Sequence, residues 1–227
     1  MILEVCANSY ESAINAEKGG AHRIELCENL SVGGLTPNFG LAKKVISELN
    51  IPVFILIRPR DGDFNYSNEE FEKIKKDIIL FKDLGCKGIV SGILTKGNNI
   101  DILKTRELIE LSKPLEFTFH RAFDEVLNPI EALRQLIEIK ADRLLTSGQK
   151  NTAIDGIELI KKLVNISNKK IIIMPGSGVN SDNIIEFKKI KSKEVHGSFL
   201  SNLKNKDSHT DLKKVITIKS ILKQTKT

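Results

Sequence analysis

Short apolar, β-rich runs alternate eight times along this chain with longer amphipathic stretches, and this alternation constrains the fold more than any other feature. Runs of about four to eight apolar residues have the length of buried strands, and the longer stretches carry apolar residues at helical spacing. Strict β–α alternation implies a parallel sheet covered by helices. Eight such units predict an α/β fold, a single (β/α)8 TIM barrel over residues 1–227, rather than an open sheet. The predicted strands are 2–6, 23–27, 53–57, 88–92, 115–119, 142–146, 170–174 and 193–197.

Local signals support the positions at which several helices begin and end. Ser67 with Glu70 forms a predicted capping box, and Ser181 is a second predicted N-cap. Pro129 suits a first helical position, and Gly85 suits a helix end. The predicted helices are 9–19, 39–49, 68–84, 101–111, 128–139, 153–164, 182–190 and 210–222, the last of them in a polar tail after residue 204 that we expect to fray in part.

Composition and charge narrow the functional classes. The net charge of +6 comes mainly from dispersed lysines with no block of five like charges, and no basic stripe with interleaved aromatic residues is present, so no nucleic-acid partner is expected. No window approaches 18 uninterrupted apolar residues, which argues against a membrane span. Three cysteines do not form a disulfide framework in a chain of 227 residues, and no signal peptide is evident, so we expect a cytoplasmic protein.

Polar or small residues follow every predicted strand, where the chemistry of such barrels is located. Three of the seven arginines directly follow strands, and a guanidinium group suits carboxylate or phosphate. The loops after strands seven and eight often bind phosphate through backbone N–H groups. An alternative is that the arginines form structural ion pairs. The loop 58–67 is a candidate lid. The predicted anion-binding residues are Arg58, Arg60, Arg121, Ser147, Gly148, Gly176, Gly178 and Ser198.

His120 directly follows the fifth predicted strand and is a candidate general acid or base. Asp124, four residues later, is expected to orient it, or an inward Glu25 is expected to share the proton transfer. The alternative is a hydrogen-bonded histidine at the rim with no catalytic role.

Residue parity makes a metal site conceivable near the first two strands. Glu4 and Cys6 share one face of the first strand, and Glu25 and Cys27 share one face of the second. Adjacent parallel strands lie about 4.8 Å apart, so inward-facing thiolates of Cys6 and Cys27 are expected to reach one soft ion such as Cu(I). A zinc site is disfavoured because no closely spaced Cys or His pair exists. The alternative is that both cysteines are small buried apolar residues, as Cys86 is expected to be.

Several strings of this sequence resemble those of the CutC family, which is named for copper homeostasis. The resemblance spans nearly the whole chain and implies a (β/α)8 barrel, a cytoplasmic location and a homo-oligomer, either a dimer or a tetramer. It also implies Cu(I) binding at two cysteines that correspond to Cys6 and Cys27, with no agreed reaction. The matching strings are LEVC at 3–6, GGAHRIELC at 19–27, GGLTP at 33–37, IRPRDGDFNYS at 57–67, FTFHRAFD at 117–124, RLLTSGQ at 143–149, MPGSGV at 174–179 and EVHGS at 194–198.

Two hypotheses therefore stand side by side. The first is a copper homeostasis protein that binds Cu(I) through Cys6 and Cys27. The second is an enzyme that acts on a small anionic, for example phosphorylated, metabolite by acid–base catalysis. The second hypothesis rests on a rim with Arg58, Arg60 and His120 that a metal carrier does not need. The sequence leaves open whether the protein is an enzyme.

Overall fold

Eight parallel strands form a nearly closed barrel in the computed structural model, which describes residues 1–202, 204–205 and 208–223. Hydrogen-bonded neighbours follow the order β7-β6-β5-β4-β3-β2-β1-β8, and β8 lies beside β7. The predicted barrel is therefore confirmed, with each strand within two residues of its predicted start. The strands are β1 Ile2–Ala7, β2 Arg23–Leu26, β3 Val53–Leu56, β4 Gly88–Ser91, β5 Glu116–Phe119, β6 Arg143–Thr146, β7 Ile172–Pro175 and β8 Glu194–Gly197.

One helix follows each strand and covers the outside of the barrel. The capping box at Ser67 is present, Gly85 ends the same helix with a φ of 99°, and Pro129 is the first residue of its own helix. The last residues of the predicted fraying tail, 224–227, and residues 203 and 206–207 lie outside the described part of the chain. The helices are α1 Tyr10–Lys18, α2 Phe39–Glu48, α3 Asn68–Leu84, α4 Ile102–Ser112, α5 Pro129–Glu138, α6 Ile157–Ser167, α7 Ile184–Lys189 and α8 Leu212–Lys223.

The predicted N-cap at Ser181 is wrong. A turn occupies the residues before α7, because the backbone N–H of Asp182 donates to the side chain of Asn180. The Asn180 N–H in turn donates to the side chain of Asn183 at 2.9 Å. The helix therefore begins only at Ile184, and Ser181 bonds to Asp182 instead of to a helix N–H.

The inside of the barrel has an unusual composition, because its lower layer is charged. Arg23 donates to both Glu4 and Glu194, and Arg143 donates to Glu194 at 2.7 Å and to Glu116. All of these side chains except that of Glu116 are at least nine-tenths buried. Buried guanidinium groups and carboxylates are tolerated only when they are paired in this way. These pairs therefore favour the one strand register that aligns them.

A small apolar cluster lies above this charged layer, toward the carboxyl ends of the strands. It is separate from the larger apolar core between the strands and the helices. Two of its members are the cysteines that the sequence singled out. The cluster consists of Cys6, Cys27, Phe54, Leu56 and Val90.

The charged layer generates a stability prediction. We expect Glu194→Gln to reduce the free energy of unfolding by about 3–5 kcal/mol, because both Arg23 and Arg143 lose the carboxylate that bridges them. Urea unfolding measures the change. The matched control is Glu131→Gln, which removes an exposed pair with Arg134 and is expected to change little. Equal effects of the two variants would contradict a structural role for the buried network.

Candidate functional site

Two thiols from neighbouring strands meet inside the upper barrel. The Sγ atoms of Cys6 and Cys27 lie 3.6 Å apart, and both cysteines are free and buried. Cys6 lies on β1 and pairs in register with Glu25 of β2, and Cys27 directly follows β2, where its N–H donates to the Ala7 carbonyl of β1 at 3.0 Å. Two sulfurs that bind one ion at 2.3 Å in tetrahedral geometry are about 3.8 Å apart. The observed separation therefore suits a shared ion.

The loop after β2 closes over these thiols. Gly34 has a φ of 89°, and a side chain added to it would meet Leu56 at 2.8 Å and the Sγ of Cys27 at 3.4 Å. A glycine is required at this position both for the backbone conformation and for the close approach. The loop thus helps to keep water away from the sulfur pair.

A carboxylate and an imidazole complete the surroundings of Cys6. The ligand atoms of Cys6, Glu25 and His196 all lie within 4.8 Å of one another, and all three residues are buried. The Sγ of Cys6 is 3.9 Å from Glu25 Oε1. The Nδ1 of His196 lies 2.7 Å from Glu4 Oε1, which connects this group to the charged layer below. Cys6 thus belongs to two groups, one with Cys27 and one with Glu25 and His196.

His196 is the residue of this group that the sequence reasoning left out of the site. It was visible at the end of the eighth strand, but nothing in the sequence singled it out from the polar residues at the other strand ends. The signal that could have identified it is parity, because His196 is two residues after Glu194 and faces inward with it. Closure of the barrel then places β8 beside β1, with His196 in register with Glu4.

The pKa values of Cys6, Glu25 and His196 follow from their burial and from their neighbours. Burial raises the pKa of Glu25 to about 7 even though His196 and Arg23 oppose the shift. Burial alone would lower the pKa of His196, but Glu25, Cys6 and Glu4 together raise it well above its usual value. The hydrogen bond with Cys27, together with burial, raises the pKa of Cys6, so that its thiol is protonated at neutral pH. A bound cation would have to displace such protons.

The donor set of this cluster fits a soft monovalent ion. Thiolates favour Cu(I) over hard ions such as Mg²⁺ or Ca²⁺, and imidazole is compatible with copper. The surrounding Phe54, Leu56 and Val90 exclude water, which suits an ion bound by sulfur.

A second group of predicted residues lies around His120. The imidazole is 5% exposed, its Nδ1 accepts the Ala122 N–H at 3.2 Å, and its Nε2 has no hydrogen-bond partner among the described residues. Burial, together with the positive charge of Arg58, lowers the pKa of His120 to about 3. The ring centroid of Phe64 lies 4.9 Å from that of His120. His120 is therefore a neutral imidazole in an apolar contact.

The structure does not bring Asp124 to His120. The Asp124 carboxylate accepts hydrogen bonds from the hydroxyl of Thr146 and from the backbone and hydroxyl of Ser147. The Arg121 guanidinium donates to Asp124 at 2.9 Å and to Ser147 at 3.1 Å. The carboxylate therefore organises the loop after β6, and Arg121 is held in that arrangement.

Arg58 and Arg60 bind the protein's own loops. Arg58 donates to the carbonyl oxygens of Val32 and Gly34 at 2.8 and 3.1 Å and to that of Gly62 at 2.9 Å, although its Nε has no described partner. Arg60 bonds to Glu70 at 2.6 Å and to backbone and side-chain oxygens within 61–65. The predicted lid, 58–67, is thus tied down at both arginines.

The glycine turns predicted to bind phosphate are also engaged locally. The Gly176 N–H donates to Thr146 at 3.0 Å, and the Gly178 carbonyl accepts from Asn180 and Asn183. The Gly148 N–H donates to the Thr146 hydroxyl, and the Ser198 carbonyl accepts from Thr210. The six-residue helix α7 begins well after the turn, at Ile184. The N–H groups of Gly148 and Gly176 therefore already have partners within the protein, whereas the contacts of Gly178 and Ser198 involve their carbonyl oxygens.

The fold and the buried side chains define a class of protein, a (β/α)8 barrel whose interior carries sulfur, imidazole and carboxylate groups that could hold a metal ion. A family model described as the CutC family matches residues 1–201. The chain belongs to the CutC family, as its resemblance predicted, and the family is one of copper homeostasis.

Individual relatives agree with this assignment. A human copper homeostasis protein cutC homolog is 47% identical over 183 residues, covering 81% of this chain and 67% of the relative. A CutC family protein from Parabacteroides distasonis is 48% identical over 201 residues, covering 87% and 82%. The structure of a CutC protein from Streptococcus agalactiae has a TM-score of 0.83 at 33% identity and covers 87% of this chain and 98% of that one.

More distant structures share the barrel. A thiamine phosphate pyrophosphorylase from Pyrococcus furiosus has a TM-score of 0.66 at 17% identity, covering 97% of this chain and 95% of that one. At this identity the likeness is one of fold. In the part of the chain that the structure describes, no helix is long and apolar enough to cross a membrane.

The buried state of His120 generates a pH prediction. Its pKa is about 3 in the folded protein and 6.5 ordinarily, so between these values the unfolded chain binds a proton that the native state does not. Stability must therefore fall as the pH decreases through this window. From pH 7.5 to 5.5 we expect His120 to contribute a loss of about 1.4 kcal/mol in the free energy of unfolding.

The variant His120→Asn isolates this contribution, since Asn keeps an acceptor for the Ala122 N–H and does not titrate. Urea unfolding at the two pH values should give a smaller loss for the variant than for the wild type. Identical losses would show that His120 takes up a proton in the folded protein.

Proposed function

We propose that this protein binds Cu(I) through Cys6 and Cys27 and acts in copper homeostasis in the cytoplasm. The observation that carries the proposal is the pair of buried, unoxidised thiols with their sulfurs 3.6 Å apart. A pair of small apolar side chains would not need the adjacent imidazole and carboxylates, which are costly to bury. Membership of the CutC family supports the same reading.

Three further features accompany the proposal. Two thiols that bind an ion must stay reduced, and this requirement supports a reducing compartment such as the cytoplasm. Copper is the cargo in this function, and it would arrive as a ligand complex rather than as a free ion, since the rim carries Arg58, Arg60 and Arg121. A homo-oligomeric assembly follows from the family resemblance.

Competition with a chromophoric Cu(I) chelator under anaerobic conditions tests the proposal. The wild type is expected to bind one equivalent of Cu(I). The double variant Cys6→Ser, Cys27→Ser is expected to lose at least about 100-fold in affinity, because removing ligands exceeds the effect of removing their supporting residues. The control is Cys86→Ser, which removes a buried thiol of the outer core and should bind Cu(I) as the wild type does.

Unchanged Cu(I) binding in the double variant would contradict the proposal. A second contradictory outcome is tight Zn²⁺ binding that depends on Cys6, Glu25 and His196 and is indifferent to Cys27→Ser. That result would assign the cluster to a harder ion with mixed nitrogen, oxygen and sulfur ligands.

A second candidate function is acid–base catalysis on a small anionic, for example phosphorylated, metabolite. The observation that favours it is the neutral imidazole of His120, buried beside Arg58 with an unpartnered Nε2. In this function the Nε2–H of His120, whose Nδ1 accepts from Ala122, donates a hydrogen bond to the negative charge that develops on the substrate, and Glu25, with its pKa of about 7, accepts and returns the proton. Arg58 contributes positive charge, and Asp124 acts by holding Arg121 and Ser147.

Nuclear magnetic resonance of protein labelled with ¹⁵N-histidine tests this candidate. A panel of phosphorylated and carboxylated metabolites at millimolar concentration is expected to contain a compound that shifts the His120 Nε2 signal in a saturable way. The exposed His209 serves as the internal control for nonspecific effects. A panel that shifts neither histidine, or shifts both equally, would contradict the enzyme function.

A further inference from the structure

His196 stands in a position that metal-binding histidines share in many proteins. Its Nδ1 lies 2.7 Å from Glu4 Oε1, so the Nδ1 proton is donated to a carboxylate and Nε2 is the nitrogen left for a metal. Hydrogen bonding from one ring nitrogen to a carboxylate fixes the tautomer and the ring orientation and strengthens the other nitrogen as a ligand. The Glu4–His196 pair therefore has the form of the carboxylate–histidine part of a carboxylate–histidine–metal triad.

The carboxylate that orients His196 is itself held firmly. Its other oxygen, Glu4 Oε2, accepts from Arg23, and Arg23 is bridged through Glu194 to Arg143. Glu4 is fully buried, and each of its carboxylate oxygens has a partner, His196 at Oε1 and Arg23 at Oε2. The orientation of His196 thus depends on the charged layer of the barrel.

Packing restricts the ring as well. A Cβ added to Gly176 would lie 3.3 Å from His196 Cδ2 and 3.4 Å from its Cβ, besides clashing with Leu145. The absence of a side chain at position 176 leaves the space that the imidazole occupies. This gives the first glycine of the turn after β7 a role that does not involve phosphate.

Cys6 connects this histidine to the sulfur pair. Its Sγ is 3.6 Å from that of Cys27 and within 4.8 Å of the ligand atom of His196. Glu25 Oε1 also lies near, at 3.9 Å from the Sγ of Cys6, but carboxylate oxygen suits hard ions, and imidazole suits copper. Once the ion has displaced the Nε2 proton, the imidazole is neutral and adds no charge to a complex that two thiolates already make negative overall. Both arguments select His196 over Glu25.

We propose that His196 is the third ligand of the ion held by Cys6 and Cys27, and that Glu4 is the positioning residue that aims it. This inference rests on the proposed Cu(I) function and specifies its coordination as two sulfurs and one nitrogen. Glu25 remains outside the ligand set.

Two measurements on the intact protein test the ligand. Protein labelled with ¹⁵N-histidine is titrated anaerobically with Ag(I), a diamagnetic analogue of Cu(I), and the His196 Nε2 signal should shift and split by coupling to silver. His22, His120 and His209 are internal controls and should keep their signals. X-ray absorption of the protein with one equivalent of Cu(I) should give two sulfurs and one nitrogen.

Matched variants identify the residue that supplies the third ligand of the ion. We expect His196→Asn to retain two-sulfur coordination and to bind Cu(I) about 10–100-fold more weakly, and Glu4→Gln to weaken binding in the same direction by a smaller factor. We expect Glu25→Gln to leave the coordination by two sulfurs and one nitrogen unchanged. The silver measurement uses the wild type, so it decides the question even if a variant fails to fold.

The outcomes separate the two proposals. If the wild type binds Cu(I) saturably through two sulfurs alone and the His196 Nε2 signal does not shift, this inference is overturned. The proposal that Cys6 and Cys27 bind the ion would then still hold. A nitrogen or oxygen ligand that survives His196→Asn and is lost in Glu25→Gln would also overturn it, in favour of Glu25. Absence of saturable Cu(I) or Ag(I) binding to the wild type would overturn both proposals.

Discussion

The pairing of charges inside the barrel is the interaction on which the rest of this structure depends. Arg23 and Arg143 lie among Glu4, Glu194 and Glu116, where unpaired charges would be prohibitively costly. Because each partner comes from a different strand, the network aligns β1, β2, β5, β6 and β8 at once. A slip by one residue would turn these side chains outward and leave their partners unpaired.

This alignment also positions the inward-facing residues of the next layer, toward the carboxyl ends of the strands. Cys6 is two residues after Glu4, Glu25 is two after Arg23, and His196 is two after Glu194, so each faces inward directly above a member of the network. The charged layer therefore positions the cluster in two ways, through strand register and through the Glu4–His196 hydrogen bond. The apolar side chains of Phe54 and Leu56 then surround the thiols.

Much of this arrangement could be predicted from residue order alone. The eight-fold alternation predicted the barrel, and parity predicted that Cys6 and Cys27 would share its interior, because both depend on local periodicity. The predicted pairing of His120 with Asp124 is not observed, because proximity along the chain does not determine which groups Asp124 contacts. The loop after β6 offers Asp124 several hydrogen-bond donors. The His120 ring instead packs against Phe64 and Phe119. Likewise, Arg58 satisfies carbonyl oxygens that no sequence pattern reveals.

A crystal of the protein loaded with one equivalent of Cu(I), measured at the copper absorption edge, tests the central claim most directly. The account predicts a single anomalous peak inside the upper barrel, about 2.3 Å from the sulfurs of both Cys6 and Cys27. A peak at surface residues such as His209 and Glu11, or no ordered copper within the barrel, would contradict it.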